Sequence, residues 1–199
     1  MTAGDPPVVT FADQAAWRDW LAEHHGDAPE GVWLQIAKKG SGVASVDYAQ
    51  ALEIALCYGW IDGQKRGLDE SHWLQRFSPR RSRSIWSKVN RTKAEALVAA
   101  GDMQPAGLAE IERAKADGRW DAAYDGQRTA TVPDDLAAAL AGNAVAREFF
   151  ATLDSTNRYA ILHRLQTAKK PETRARRLAQ FVAMLSEHRT IYPPRTTKR

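Results

Sequence analysis

Residues 80–84 read Arg-Arg-Ser-Arg-Ser, placed between Ser78-Pro79 and Ile85-Trp86. The composition predicts a loop that leads into a helix capped by Ser84 and running to about Ala100. Arg80, Arg81 and Arg83 then sit beside the first turn of that helix, whose free N–H groups and dipole favour an anion. Arginine offers a planar fork that matches phosphate or carboxylate in pairs. Trp86, and Trp60 a little upstream, add flat faces for a ring or a base. The chemistry that fits is binding of a phosphate- or carboxylate-bearing ligand between this loop and the preceding hairpin. The competing reading is an ordinary solvated loop.

Other residues suggest further chemistry. Asp62 and His72 form an acid/base pair if they meet across the hairpin, with Arg76 placed to polarise or bind a substrate. That meeting depends on strand register, and a merely structural pair is the alternative. Arg174 falls in the middle of the apolar stripe Leu178, Phe181, Val182 and Leu185 when positions are counted at 100° per residue. An inward-facing charge needs a partner, either a structural carboxylate or a ligand anion shared with the Arg80 loop. Arg177 falls on the flank of the stripe and Arg176 points away. Cys57 has no basic partner nearby in sequence and reads as a structural thiol. His24, His25, His163 and His188 lack zinc-like spacing, so no metal is expected. Without a phosphate-loop or dinucleotide fingerprint, no cofactor is expected either.

Charge is distributed in blocks. Residues 57–91 hold eight Lys or Arg against three Asp or Glu, so their net +5 exceeds the +4 of all 199 residues. Residues 169–199 carry nine against two, a net +7. These two basic blocks support an alternative, nucleic-acid binding. The single cysteine excludes an internal disulfide. No apolar run is long enough to span a membrane, and the start MTAGDPPVVTF lacks the features of a signal peptide, so a cytoplasmic protein is expected.

The elements that must position these residues follow from periodicity. A capping box at Thr10 and Asp13 predicts a helix to about His24, and the alternation over Gly31–Lys38 predicts a strand. Ser45 is expected to cap a largely buried helix over Val46–Tyr58. A hairpin follows, with Trp60, Asp62, Gln64 and Arg66 on one face of its first strand and His72, Leu74 and Arg76 on one face of the return strand. Ile85, Val89 and Ala96 are expected to mark the buried face of the next helix. Helices near 106–117, 131–142, 144–153, 156–168 and 171–188 complete an α+β chain with a helical C-terminal part. Residues 190–199 should fray.

Several motifs resemble the YdeI/OmpD-associated, or bacteriocin-protection, family: Phe11 with Trp20-Leu21, GVWLQIAKK at 31–39, YGWIDG at 58–63, FSPRRSRSIWSKVN at 77–90, GDMQPAG at 101–107 and GRWDAAY at 118–124. VPDDLAAAL and AKKPETRARR resemble its helical C-terminal domain, so the likeness covers about residues 10–190. His163 and Arg164 stand where the family commonly has an aromatic. The chain is therefore expected to hold an α+β domain over 8–125 and, by the resemblance, a helical domain of that family's type over 131–190, with flexible ends at 1–7 and 191–199. It highlights Trp60, Asp62, Arg80, Arg81, Trp86, Ser87 and Asn90, but carries over no catalytic residue. The family's name implies a role in protection against antibacterial peptides or contact with an outer-membrane porin.

Overall fold

The computed structural model describes residues 5–193 and divides after Ala123 into two compact units. The fold class is α+β, as expected. In the first unit, β1 (Val8–Thr10) runs parallel to β2 (Val32–Ala37), and β4 (His72–Pro79) lies antiparallel between β2 and β3 (Trp60–Gly67). The order is β1-β2-β4-β3. Val32, Leu34, Ile36 and Phe77 share one sheet face and a core with residues of α1 (Gln14–His24) and α2 (Tyr48–Cys57). Trp17, fully buried on α1, fixes the layers by donating its indole N–H to the Ala51 carbonyl at 3.1 Å. Gly31 enters β2 at φ +70°, where an added Cβ would lie 2.1 Å from the Phe77 carbonyl oxygen. Only glycine fits a backbone approach that close.

Caps differ from expectation in three places. Asp13, not Thr10, caps α1, because Thr10 is the last residue of β1. Asp47 caps α2 in a reciprocal box with Gln50, while Ser45 Oγ accepts from the Ala37 amide at 2.9 Å. Ser87, not Ser84, caps α3 (Lys88–Ala100). On α3, Ala94 rather than Val89 or Ala96 meets the core: Val89 is 52 % exposed and Ala96 is exposed as well. Ile85 lies outside the helix and is also exposed. Pro105 opens α4 (Pro105–Ala116). Residues 5–7, expected to be loose, are tied to the sheet: Asp5 accepts from the Trp33 indole at 2.8 Å and from Arg66 at 3.1 Å. These bonds, the indole's first, hold the Asp5 carboxyl below its ordinary pKa.

The hairpin is irregular. Asp62 faces Phe77 and Lys65 faces Gln75, so β3 carries one extra residue between them. This bulge sends Arg66 to the sheet face opposite Asp62, where its guanidinium lies 4.2 Å over Trp33. The expected sharing of one face by Trp60, Asp62 and Arg66 is therefore lost at the bulge.

In the second unit, α5 (Asp134–Ala141), α6 (Ala144–Thr152), α7 (Ser155–Gln166) and α8 (Pro171–Ser186) enclose a separate core of Leu136, Phe150, Ile161, Leu165, Phe181 and Leu185. Of the expected frayed tail, Tyr192 is bound: its amide donates to Asn157 at 2.9 Å and its carbonyl accepts from the same side chain at 3.2 Å. Residues 194–199 lie outside the described residues. Among the described residues, no helix is long and apolar enough to cross a membrane.

Candidate functional site

The arginine loop is a pinned turn. The Ser84 amide donates to the Arg81 carbonyl at 2.9 Å, and the Arg81 amide donates to Ser84 Oγ at 3.0 Å, closing residues 81–84 on themselves. Ser84 therefore shapes the turn rather than capping the helix. On one side the Arg80 amide donates to the Gly59 carbonyl at 2.9 Å, which joins the loop to the end of α2. Beneath it, Arg80 is only 5 % exposed, and its guanidinium lies 3.4 Å over the Trp86 ring. A desolvated stack of this kind contributes about 2 kcal/mol. Trp86 in turn meets Trp120 edge to face at 4.8 Å.

A second buried arginine, absent from the sequence reading, holds the other side. Arg119 donates from Nε to the Asp117 carboxylate at 2.7 and 2.8 Å and from Nη1 to the Ser84 carbonyl at 2.6 Å. Its guanidinium thus ties the loop to the segment after α4. Sequence gave one signal, the aromatic and charged run GRWDAAY, but not its partner. Arg81 and Arg83 stay exposed on this turn, and among the described residues neither pairs with a carboxylate. Ser87 accepts from the Asn90 amide at 3.1 Å as the α3 cap, so both belong to the helix start that follows the turn.

The remaining expected residues are committed elsewhere. Trp60 is 1 % exposed and donates to the His25 carbonyl at 3.1 Å within an aromatic core that includes Trp17 and Trp20. Trp86 is 2 % exposed and covered by Arg80. Neither indole presents an open face to a ligand. Arg76 donates to the Glu30 carbonyl and approaches Trp33 on the outer sheet face.

Asp62 and His72 are not brought together. Asp62 pairs in register with Phe77, five residues along β4 from His72, a separation of roughly 17 Å at strand spacing. The Tyr48 hydroxyl donates to Asp62 at 2.8 Å, and His72 Nδ1 lies 3.1 Å from Asp69. Asp69 is held below its ordinary pKa by the Ser71 amide first, with His72 adding to the effect. Cys57 is fully buried, and burial raises its thiol pKa, which fits a structural role. No group of three or more His, Cys, Asp or Glu among the described residues could hold a metal.

Arg174 has its partner within the second unit. Nε and Nη2 fork onto the Asp135 carboxylate at 2.7 and 2.9 Å, while Nη1 donates to the Leu165 carbonyl at 2.8 Å. One guanidinium thereby links α5, α7 and α8, the structural alternative of the two open to it. The same unit contains a cavity of about 550 Å³, lined by residues that include Tyr124, Tyr159, His163, Arg164, Arg177 and Tyr192. His163 meets Tyr124 edge to face at 4.7 Å and lies 5.6 Å from Tyr159. Burial lowers its pKa, and the nearby Arg164 and Arg177 cations lower it further, both favouring the uncharged ring. The i, i+4 spacing of Tyr159 and His163 is visible in the sequence; the rest of the lining comes from other segments.

Residues 9–110 match a family model described as a domain of unknown function, DUF8412. Residues 129–188 match the family described as Bacteriocin-protection, YdeI or OmpD-Associated. No curated protein and no solved structure gives a significant match.

Proposed function

We propose, from the premise that this chain belongs to the DUF8412 family over residues 9–110 and to the YdeI/OmpD-associated family over 129–188, that it binds a phosphate- or carboxylate-bearing ligand through the 81–84 turn. The observation that supports this reading is the contrast among its arginines. Arg80 and Arg119 are buried and hold the turn from beneath, whereas Arg81 and Arg83 are exposed on it without a carboxylate partner among the described residues. Holding a turn in one conformation lowers the ordering cost of binding, so two guanidinium groups can act on an anion at little entropic loss. The α3 start, capped by Ser87, adds a favourable dipole end. In this reading Arg80 and Trp86 position the site rather than touch the ligand. The protein acts in the cytoplasm, and the C-terminal part is an all-helical domain. Protection against antibacterial peptides, named in the description of that domain's family, belongs to the same proposal.

Calorimetric titration of the full chain with nucleotides, sugar phosphates and polycarboxylates tests it. At least one saturable binder is expected, and Arg81→Ala and Arg83→Ala should each weaken it about tenfold or more, or 1.4 kcal/mol. Lys39→Ala is the control, removing the same charge from an exposed position in the segment after β2. No saturable binder, or equal weakening by Lys39→Ala, would reject the loop as the site. A duplex oligonucleotide as an additional arm, with affinity falling steeply in salt, would favour nucleic acid instead.

A further inference from the structure

We propose that the cavity lined by Tyr124, α7 and α8 in the second unit is a binding site for a small aromatic anion, its ring against Tyr124 and Tyr159 and its carboxylate or phosphate on Arg164 and Arg177. The site rests on residues 124–193 alone and stands or falls separately from the arginine turn. Its volume of about 550 Å³ lies within the range of small-molecule sites.

The charges point to the ligand's sign. Arg164 and Arg177 are both partly buried, and among the described residues neither pairs with a carboxylate. Arg177 spends one N–H on the Arg164 carbonyl, and the Arg164 guanidinium lies 5.7 Å over the Tyr192 ring. Those contacts supply no negative charge. Other arginines of the unit do reach carboxylates: Arg174 forks onto Asp135 and Arg189 pairs with Glu187, while Arg158, which lies over the Phe150 ring, lines no part of the cavity. Two half-desolvated cations beside one cavity call for an anion.

The rings point to the ligand's shape. Tyr159 is fixed by donating its hydroxyl to the Asp125 carbonyl at 2.9 Å, and Tyr192 is fixed through its backbone by Asn157. His163 already meets Tyr124 edge to face, and a planar ring extends such an arrangement in the offset or edge geometries that aromatic groups prefer. In its uncharged form, which burial and the two arginines favour, the His163 ring adds one donor and one acceptor. An anion bound on Arg164 and Arg177 stabilises the imidazolium form, so occupancy of the site raises the His163 pKa.

The test is a pH titration of the His163 imidazole by NMR in the full-length protein. Phenyl phosphate and benzoate are the probes, with inorganic phosphate and cyclohexanecarboxylate as controls that lack the ring or its aromaticity. At least one probe should give a saturable shift of the His163 resonance and raise its pKa, with the controls about tenfold weaker or more. Arg177→Gln and Arg164→Gln should each weaken the probe by a similar factor, and Arg176→Gln, exposed on α8, should leave it unchanged. Two site variants are used so that the other decides if one fails to fold by circular dichroism. The proposal is overturned if no probe moves His163, if the controls bind as well as the probes, or if Arg176→Gln weakens binding as much as the site variants.

Discussion

Replacing Arg174 by alanine removes one side chain that touches three helices. It leaves the Asp135 carboxylate without its two-pronged partner and the buried Leu165 without the donor to its carbonyl. Buried charge-assisted hydrogen bonds are worth about 1.5–3 kcal/mol each. The pair is not fully buried, however: the side chains of Arg174 and Asp135 are 31 % and 36 % exposed. Solvent screening brings the ion pair to roughly 1 kcal/mol. The lost bond at Leu165 adds about 1 kcal/mol, so Arg174→Ala should cost about 2 kcal/mol. Arg176→Ala, two residues away and exposed, should stay within about 0.5 kcal/mol of the parent.

Urea unfolding followed by far-ultraviolet circular dichroism is the suitable assay, because all seven tryptophans lie within residues 17–120 and report on the first unit. The pH dependence gives a second check. Arg174's hydrogen bonds hold the Asp135 carboxyl below its ordinary pKa, with a smaller contribution from the Leu136 amide. A depressed folded pKa means that the pair's stabilisation is fully present above the unfolded value of about 3.9 and fades as pH falls through the folded one. The gap between parent and Arg174→Ala should therefore narrow below about pH 4. Equal midpoints for Arg174→Ala and Arg176→Ala at neutral pH would refute the assignment of Arg174 as a clamp.

Gly31→Ala should cost more than about 3 kcal/mol, or prevent folding, because the new Cβ meets strand backbone at positive φ; a near-parental melting curve would contradict that packing. Arg80→Ala should destabilise by about 2–3 kcal/mol through loss of its stack on Trp86, whereas Arg81→Ala should be nearly neutral in the same denaturant titration. Cys57 should react with a thiol reagent only on unfolding, with its rate tracking urea concentration, and fast labelling of the native protein would show that α2 is less buried than described.

The fold class and most helices could be read from the sequence because periodicity is a local property. Caps were less readable for a physical reason. Ser45 and Ser84 are both chemically able to cap, yet each bonds a backbone amide elsewhere, Ala37 in one case and Arg81 in the other. Asp47 and Ser87 then take the cap positions. β1 escaped because three residues acquire strand character only from β2, more than twenty positions later. Charge counting identified the basic loop but could not separate Arg80, stacked under it, from Arg81, exposed on it. In the same way, counting aromatic residues treated Trp60 and Trp86 as open faces when both are core. Arg119 was missed because its partner at Ser84 is thirty-five residues away.

The irregular β3 also bears on how the chain avoids its own copies. With the order β1-β2-β4-β3, only β1 and β3 have unpaired edges within the sheet. An exposed, regular edge invites another chain to add a strand, the first step toward aggregation. β1 limits that by being three residues long and following Pro6-Pro7, a pair with no amide hydrogen to offer. β3 is longer, but its bulge breaks the hydrogen-bonding rhythm and is followed by Lys65 and Arg66, whose charges would face those of an incoming copy. Deleting Gln64 to straighten that edge should therefore leave the folded chain more prone to self-association, visible as a concentration-dependent rise in mass by sedimentation.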